Sequence, residues 1–217
     1  MNSNVRVAII SGGVIVIAVV AFILVAIAQN QQPGPVAAPP PAPALSEDSH
    51  ILQDAGEDAV TVVEFLDFEC EACGAFYPVV EGLRAAYAGE VTFGIRYFPL
   101  PSHYNSRNAA VAVEAAAQQG QLEAMYSRLF QTQSEWGEAQ ESRAPLFRQF
   151  AEEIGLDMAD YDAAIADPAT LQRVKSDYDE GVSLGVSSTP TFFVNDQMVQ
   201  MDSFDDLQNA IEAELNG

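Results

Sequence analysis

Cys70 and Cys73 are the only cysteines among 217 residues, and they stand three positions apart. Two sulfurs cannot make a disulfide framework or a four-sulfur zinc site. A Cys-x-x-Cys pair can exchange disulfides: one thiolate captures a foreign sulfur, and its neighbour displaces what was captured. That chemistry needs one sulfur of depressed pKa. The start of a helix supplies the means, because its first N–H groups lack partners and carry partial positive charge. Spacing of three places Cys73 one turn beyond Cys70 on the same face. Cys70 is therefore expected as the exposed attacking sulfur and Cys73 as the more buried resolving one. A structural disulfide, idle thiols, or a metal site completed by His50 or His103 are competing uses of the pair. The last of these lacks a second ligand pair at suitable spacing, so no metal is expected.

The surrounding patterns show what must position these sulfurs. Residues 59–68 (AVTVVEFLDF) are β-branched and aromatic and read as a central strand that delivers Cys70 to the helix start. Residues 70–87 carry Phe76, Val79, Val80, Leu83 and Tyr87 at helical spacing, with Pro78 expected to kink the helix. Residues 91–98 (VTFGIRYF) form a second strand closed by Pro99 and Pro101. Strand, helix and strand over so few residues predict a βαβ unit with parallel strands and a right-handed crossover. Five helices are predicted next, over 106–117, 121–131, 144–154, 158–166 and 169–184, with Gly120 and Gly155 as stops. Trp136 falls in a polar stretch between them and reads as a packing residue. A strand at 191–194, a turn at Asn195-Asp196 and a partner strand at 197–200 follow. Ser203 and Asp206 resemble a capping box opening a last helix that runs to Leu215. The economical fold class is α/β, a sheet with a large helical insertion.

Before this domain the chain is different. Residues 7–28 are uncharged and apolar, and as a helix they span ~33 Å against a bilayer core of ~30 Å. Arg6 lies on one flank and no charge follows until Glu47. A single transmembrane anchor is expected, with the N-terminus cytoplasmic and the remainder extracytoplasmic. The alternative is a signal peptide cleaved near Ala28, suggested by Ala26-Ile27-Ala28, which would release a secreted protein on the same side. Residues 29–57 read as a linker, Pro/Ala-rich up to Leu45 and favouring extended polyproline II. The domain is expected over 58–217, with its helical insertion at about 103–185. The charge of the whole chain is lopsided: 31 acidic against 9 basic residues give −22, and Lys175 is the sole lysine. Such a surface repels phosphate backbones, so nucleic acid is not an expected partner.

EFLDFECEAC, followed much later by Ser188-Thr189-Pro190-Thr191-Phe192-Phe193, resembles the thioredoxin superfamily. With a helical block between the two motifs, residues 58–217 are similar to the DsbA-like thiol–disulfide oxidoreductases. The run Phe98-Pro99-Leu100-Pro101-Ser102-His103, leading into an Ala-rich helix with Glu114, resembles the membrane-linked bacterial branch. This resemblance implies a thioredoxin fold and an enzyme whose only redox group is the Cys70–Cys73 disulfide, with no separate cofactor. It implies that Pro190 is cis and faces the cysteines, and that Thr189 offers its backbone to a bound substrate chain. It places Glu64 as a buried acid beneath the disulfide, with a raised pKa, shuttling the proton of Cys73; strand alternation could instead point it at solvent. His103 is an accessory candidate, either at the rim of the site assisting proton transfer or capping the helix that follows.

One departure bears on strength. Many DsbA-like enzymes place Pro-His or Pro-Tyr between the cysteines, where this chain has Glu71-Ala72, with Asp67 and Glu69 just upstream. Carboxylates near a thiolate disfavour it, so a higher Cys70 pKa and a milder oxidant are expected unless solvent screens them. The function implied is extracytoplasmic exchange of disulfides with protein thiols, reoxidised by a membrane partner of DsbB or VKOR-like type. A reductase or isomerase using the same sulfurs, and a non-catalytic binding module of the same fold, are the alternatives.

Overall fold

The computed structural model describes residues 43–217. The expected anchor or signal segment and the linker up to residue 42 lie outside the described residues. Among the described residues no helix is long and apolar enough to cross a membrane.

Strands β1 (His50–Gln53), β2 (Val60–Leu66) and β3 (Val91–Tyr97) are joined by helix α1 (Glu71–Ala86) between the last two. Six helices follow: α2 (Ser106–Ala117), α3 (Leu122–Gln131), α4 (Gln133–Trp136), α5 (Ala144–Glu153), α6 (Met158–Ala166) and α7 (Pro168–Ser183). Strands β4 (Thr191–Val194) and β5 (Gln197–Met198) and helix α8 (Asp205–Leu215) complete the order. The five strands make one mixed sheet in the order β1-β3-β2-β4-β5, with β2 parallel to β3 and the other pairs antiparallel.

β2 lies at the centre and is buried on both faces, which explains its unbroken apolar run. Val62 joins Val80, Leu83, Phe93, Phe192, Leu207 and Ile211 beneath α1 and α8. Val63 and Phe65 point the other way, to Phe98, Val186 and Phe193. A third cluster carries Leu66, Phe68 and both cysteines into the helical insertion, against Tyr126, Leu129 and Phe130. The insertion and the redox loop therefore share one core.

Helix α7 comes close to the sheet at Gly181, where a Cβ would meet Phe98 at 2.9 Å and Phe65 at 3.0 Å. Arg96 of β3 binds it from below. Its Nε donates to Asp177 at 2.7 Å and its guanidinium reaches Glu180 at 2.6 Å, while the Tyr97 amide donates to Asp177 at 3.1 Å. Arg96 and Asp177 are fully buried, so each charge depends on the other for compensation.

Two elements, β1 and α4, depart from the sequence reading. The stretch expected to be linker contains β1, an edge strand whose register shifts between Ile51 and Gln53. Four residues interrupted by a bulge leave no legible alternation. Ala44 is also buried, its amide donating to Asp196 at 2.7 Å, and a Cβ at Gly94 would stand 2.9 Å from Leu45. The folded body thus begins before residue 58. Helix α1 runs from Glu71 to Ala86 with Pro78 inside it. The short helix α4 was absent from the sequence reading, and Trp136 on it is buried, donating to the Leu129 carbonyl and packing on Phe147.

Candidate active site

β2 ends at Leu66, and a turn through Asp67 and Phe68 delivers Cys70 as the N-cap of α1. The Cys70 amide donates back to the Asp67 carbonyl, and its own carbonyl accepts the Gly74 amide as α1 begins. The geometry is that of two free thiols. Cys70 retains 6% of its surface and Cys73 none. The expected order of exposure holds, but Cys70 is not the open sulfur expected from sequence. Cys70 belongs to the same core cluster as Tyr126 and Phe130 of the insertion, and the chain before Pro190 reaches its sulfur.

That chain comes from the far end of the sequence. The Thr189–Pro190 peptide is cis, and Cys70 Sγ donates to the Thr189 carbonyl at 3.3 Å. The Cys70 pKa is brought down to about 6. A hydrogen bond from the Cys73 thiol is the largest cause; burial opposes it, and the Thr189 side chain and the backbone amides of Cys73 and Ala72 add to it. The helix start therefore contributes, but less than the neighbouring thiol. Cys73 is raised well above its ordinary value, first by burial, then by its bond to Cys70 and by Glu64. The two sulfurs are thus separated in acidity as an attacking and a resolving thiol require.

Glu64 is on β2, between Ile95 and Phe192, and is buried. It shares the face of Val62 and Leu66, beneath α1, and not the solvent side that alternation left open. Burial, then the charges of Cys70 and Glu81, push its carboxyl up to about 8. It is protonated at neutral pH and lies within electrostatic range of both cysteines.

The carboxylates expected to oppose the thiolate do something else. Asp67 is buried and accepts hydrogen bonds from the Glu69 amide at 2.9 Å, the Leu100 amide at 2.9 Å and His103 at 2.7 Å. Glu69, also buried, accepts the Asn105 amide at 2.5 Å. Both acids are committed to the loop between β3 and α2, and neither is among the main causes of the Cys70 shift. Glu71 is exposed, and its pKa is lowered by its own amide at the helix start and by Glu138. His103 is placed at the rim without a hydrogen bond to either sulfur. Burial alone would lower its pKa, but Asp67 beside it, and then Cys70 and Glu69, raise it. His103 binds Asp67 instead of capping the helix that follows, and it lies within electrostatic range of Cys70.

Sequence reasoning missed Asn105 and Gln133. Asn105 is buried; its side chain donates to the Ala139 and Glu141 carbonyls and accepts the Arg143 amide. The Gln133 amide donates to the carbonyls of Phe68 and Cys70. Both are amides in polar stretches, and nothing local distinguishes them from loop residues. Among the described residues no cluster of His, Cys, Asp and Glu is arranged to hold a metal ion.

Residues 55–213 match the thioredoxin family model. The chain belongs to the thioredoxin family. Solved structures share its fold. A thioredoxin-like oxidoreductase from Silicibacter pomeroyi is 27% identical, with a TM-score of 0.68 over 83% of this chain and 99% of that one. BdbD from Bacillus subtilis is 23% identical with a TM-score of 0.65, over 79% of this chain and 95% of its own. MdbA from Corynebacterium diphtheriae, 18% identical with a TM-score of 0.63, covers 77% and 92%. The last two speak for the fold alone. Among curated proteins, this thioredoxin domain is 39% identical over 140 residues to Na(+)/H(+) antiporter NhaA 3 of Salinispora tropica, covering 64% of this chain and 20% of that protein. It is 36% identical over 139 residues to the NhaA antiporter of Herminiimonas arsenicoxydans, covering 64% and 21%. The chain therefore spans about a fifth of the length of these relatives.

Proposed function

We propose that this chain is a DsbA-like protein thiol–disulfide oxidoreductase working through Cys70 and Cys73. The observation that carries the reading is the Cys70 thiol, of pKa about 6, hydrogen-bonded to the residue before a cis-proline with a fully buried thiol one turn behind it. In the oxidised protein a substrate thiolate attacks Cys70 Sγ. The Cys70–Cys73 bond breaks, a mixed disulfide forms, and Cys73 leaves with the electron pair. Glu64, protonated below about pH 8, gives Cys73 its proton. A second substrate thiolate then attacks the substrate sulfur of the mixed disulfide and expels Cys70 as a thiolate. The substrate loses two electrons and the pair gains them. Thr189 positions the substrate chain beside Cys70 through its backbone.

The reduced pair must pass its two electrons on, and a membrane redox partner of DsbB or VKOR-like type is the acceptor we infer. We place the domain outside the cytoplasmic membrane on the apolar segment at residues 7–28. A thiolate pKa of about 6 lies between ~3.5 for the strongly oxidising family members and ~7 for thioredoxin, which favours an oxidant of intermediate strength. The test is turnover of a reduced or scrambled disulfide protein by wild type and Cys70→Ser. Loss of turnover in the variant is expected; equal rates would leave only a binding module.

A further inference from the structure

Gln133 opens the four-residue helix α4, which stands between the longer helices of the insertion. Its side-chain amide nitrogen donates two hydrogen bonds of 2.8 Å, one to the Phe68 carbonyl and one to the Cys70 carbonyl. Phe68 closes the turn after β2 and Cys70 caps α1, so a single amide spans the turn that presents the attacking sulfur. Its platform is firm. The Gln133 carbonyl accepts the Gly137 amide at 2.7 Å, and three residues along Trp136 is buried and donates to Leu129.

Gly74 supplies an independent observation. A Cβ at that position would stand 2.1 Å from Gln133 Oε1 and 2.9 Å from its Cδ. Glycine inside a helix is unfavourable relative to alanine. Here it leaves the space through which the Gln133 amide reaches the loop.

Resting on the reading of Cys70 and Cys73 as the exchanging pair, we propose that Gln133 is a positioning residue of the redox site, admitted by Gly74, which fixes the turn around Cys70 from the helical insertion. The physical argument has two parts. The Ala72 and Cys73 amides act on the Cys70 sulfur, and their aim depends on the orientation of the Cys70 backbone that Gln133 fixes. The two donated hydrogens also offset the negative ends of two carbonyl dipoles beside the thiolate. The other titratable groups acting with Cys70 are Cys73, Glu64 and His103, and the Gln133 side chain hydrogen-bonds to none of them.

The test uses the full chain carrying Gln133→Met, Gly74→Ala, or both, with Cys70 alkylation followed against pH. Methionine keeps the volume of glutamine and removes its donors. The alkylation midpoint of Gln133→Met is expected to rise by about half a unit to one unit, about three- to tenfold less thiolate at acidic pH. Gly74→Ala should raise it equally, although alanine favours the helix, and the double variant should go no further. An unmoved midpoint in Gly74→Ala, or shifts that add in the double variant, would overturn the proposal. Gly74→Ala decides alone if Gln133→Met does not fold. Wild-type turnover is read separately: a wild type that alkylates as described but exchanges no disulfides sinks the oxidoreductase reading and leaves the clamp standing.

Discussion

The imidazole of His103 stands 2.7 Å from the carboxylate of Asp67, which is fully buried three residues before Cys70. An acid that in the sequence reads as a threat to the thiolate is instead held by a histidine from the loop after β3. The raised His103 pKa fixes the sign of its contribution. Stability from the pair is fully present below the unfolded histidine value of about 6.5 and is lost as pH rises through the higher folded value. His103→Ala should cost about 1 kcal/mol at pH 6, allowing for its partly solvated ring, and less at pH 9. Urea unfolding at the two pH values checks this; an equal loss at both would refute the ion pair.

Cys73→Ala removes the largest stabiliser of the Cys70 thiolate. The alkylation midpoint of Cys70 should move from about 6 toward that of a free cysteine, and with a disulfide-bearing substrate the mixed disulfide at Cys70 should accumulate because Cys73 is not there to displace it. Mass spectrometry of quenched mixtures and a pH series of alkylation report the two effects separately.

Glu64 carries the opposite linkage from a paired carboxylate. Its folded value of about 8 lies above the ordinary 4.5, so the folded reduced protein binds more protons than the unfolded chain between those limits, and stability falls as pH rises through them. Glu64→Gln should flatten that slope and stabilise the reduced protein at pH 8 by an amount on the order of a few kcal/mol. It should also slow turnover, since glutamine cannot give Cys73 a proton. Unfolding of the reduced protein at pH 5 and pH 8 measures the first, and substrate oxidation rates the second.

Arg96→Ala leaves Asp177 buried with a large part of its compensation gone. A loss of about 3–5 kcal/mol is expected, with α7 loosened from the sheet. Denaturant midpoints check the size. A change below about 1 kcal/mol would mean that Arg173, which also pairs with Asp177, carries the site by itself.

Much of this was legible because the signals were strong and local. The apolar run of β2, the strand–helix position of Cys70, and Thr189-Pro190 ahead of β4 each carry their chemistry in a few adjacent residues. What stayed hidden depends on distant partners. β1 acquires meaning only beside β3, and Ala44 only beside Asp196. Asp67 and Glu69 read as charges facing a thiolate until His103, Leu100 and Asn105 are brought to them by a loop that no spacing rule describes. Gln133 is silent in sequence because the carbonyls it binds lie 63 and 65 residues away.

The most direct test is the equilibrium between the dithiol and disulfide forms of Cys70 and Cys73 in graded glutathione buffers, scored by alkylation of the full chain. A single two-electron transition is expected, with its midpoint between the ~−120 mV of the strongest oxidants and the ~−270 mV of thioredoxin. A pair that does not interconvert across the series, or a midpoint at either extreme, would contradict a Cys70 sulfur tuned to intermediate acidity by Cys73, Thr189 and the start of α1.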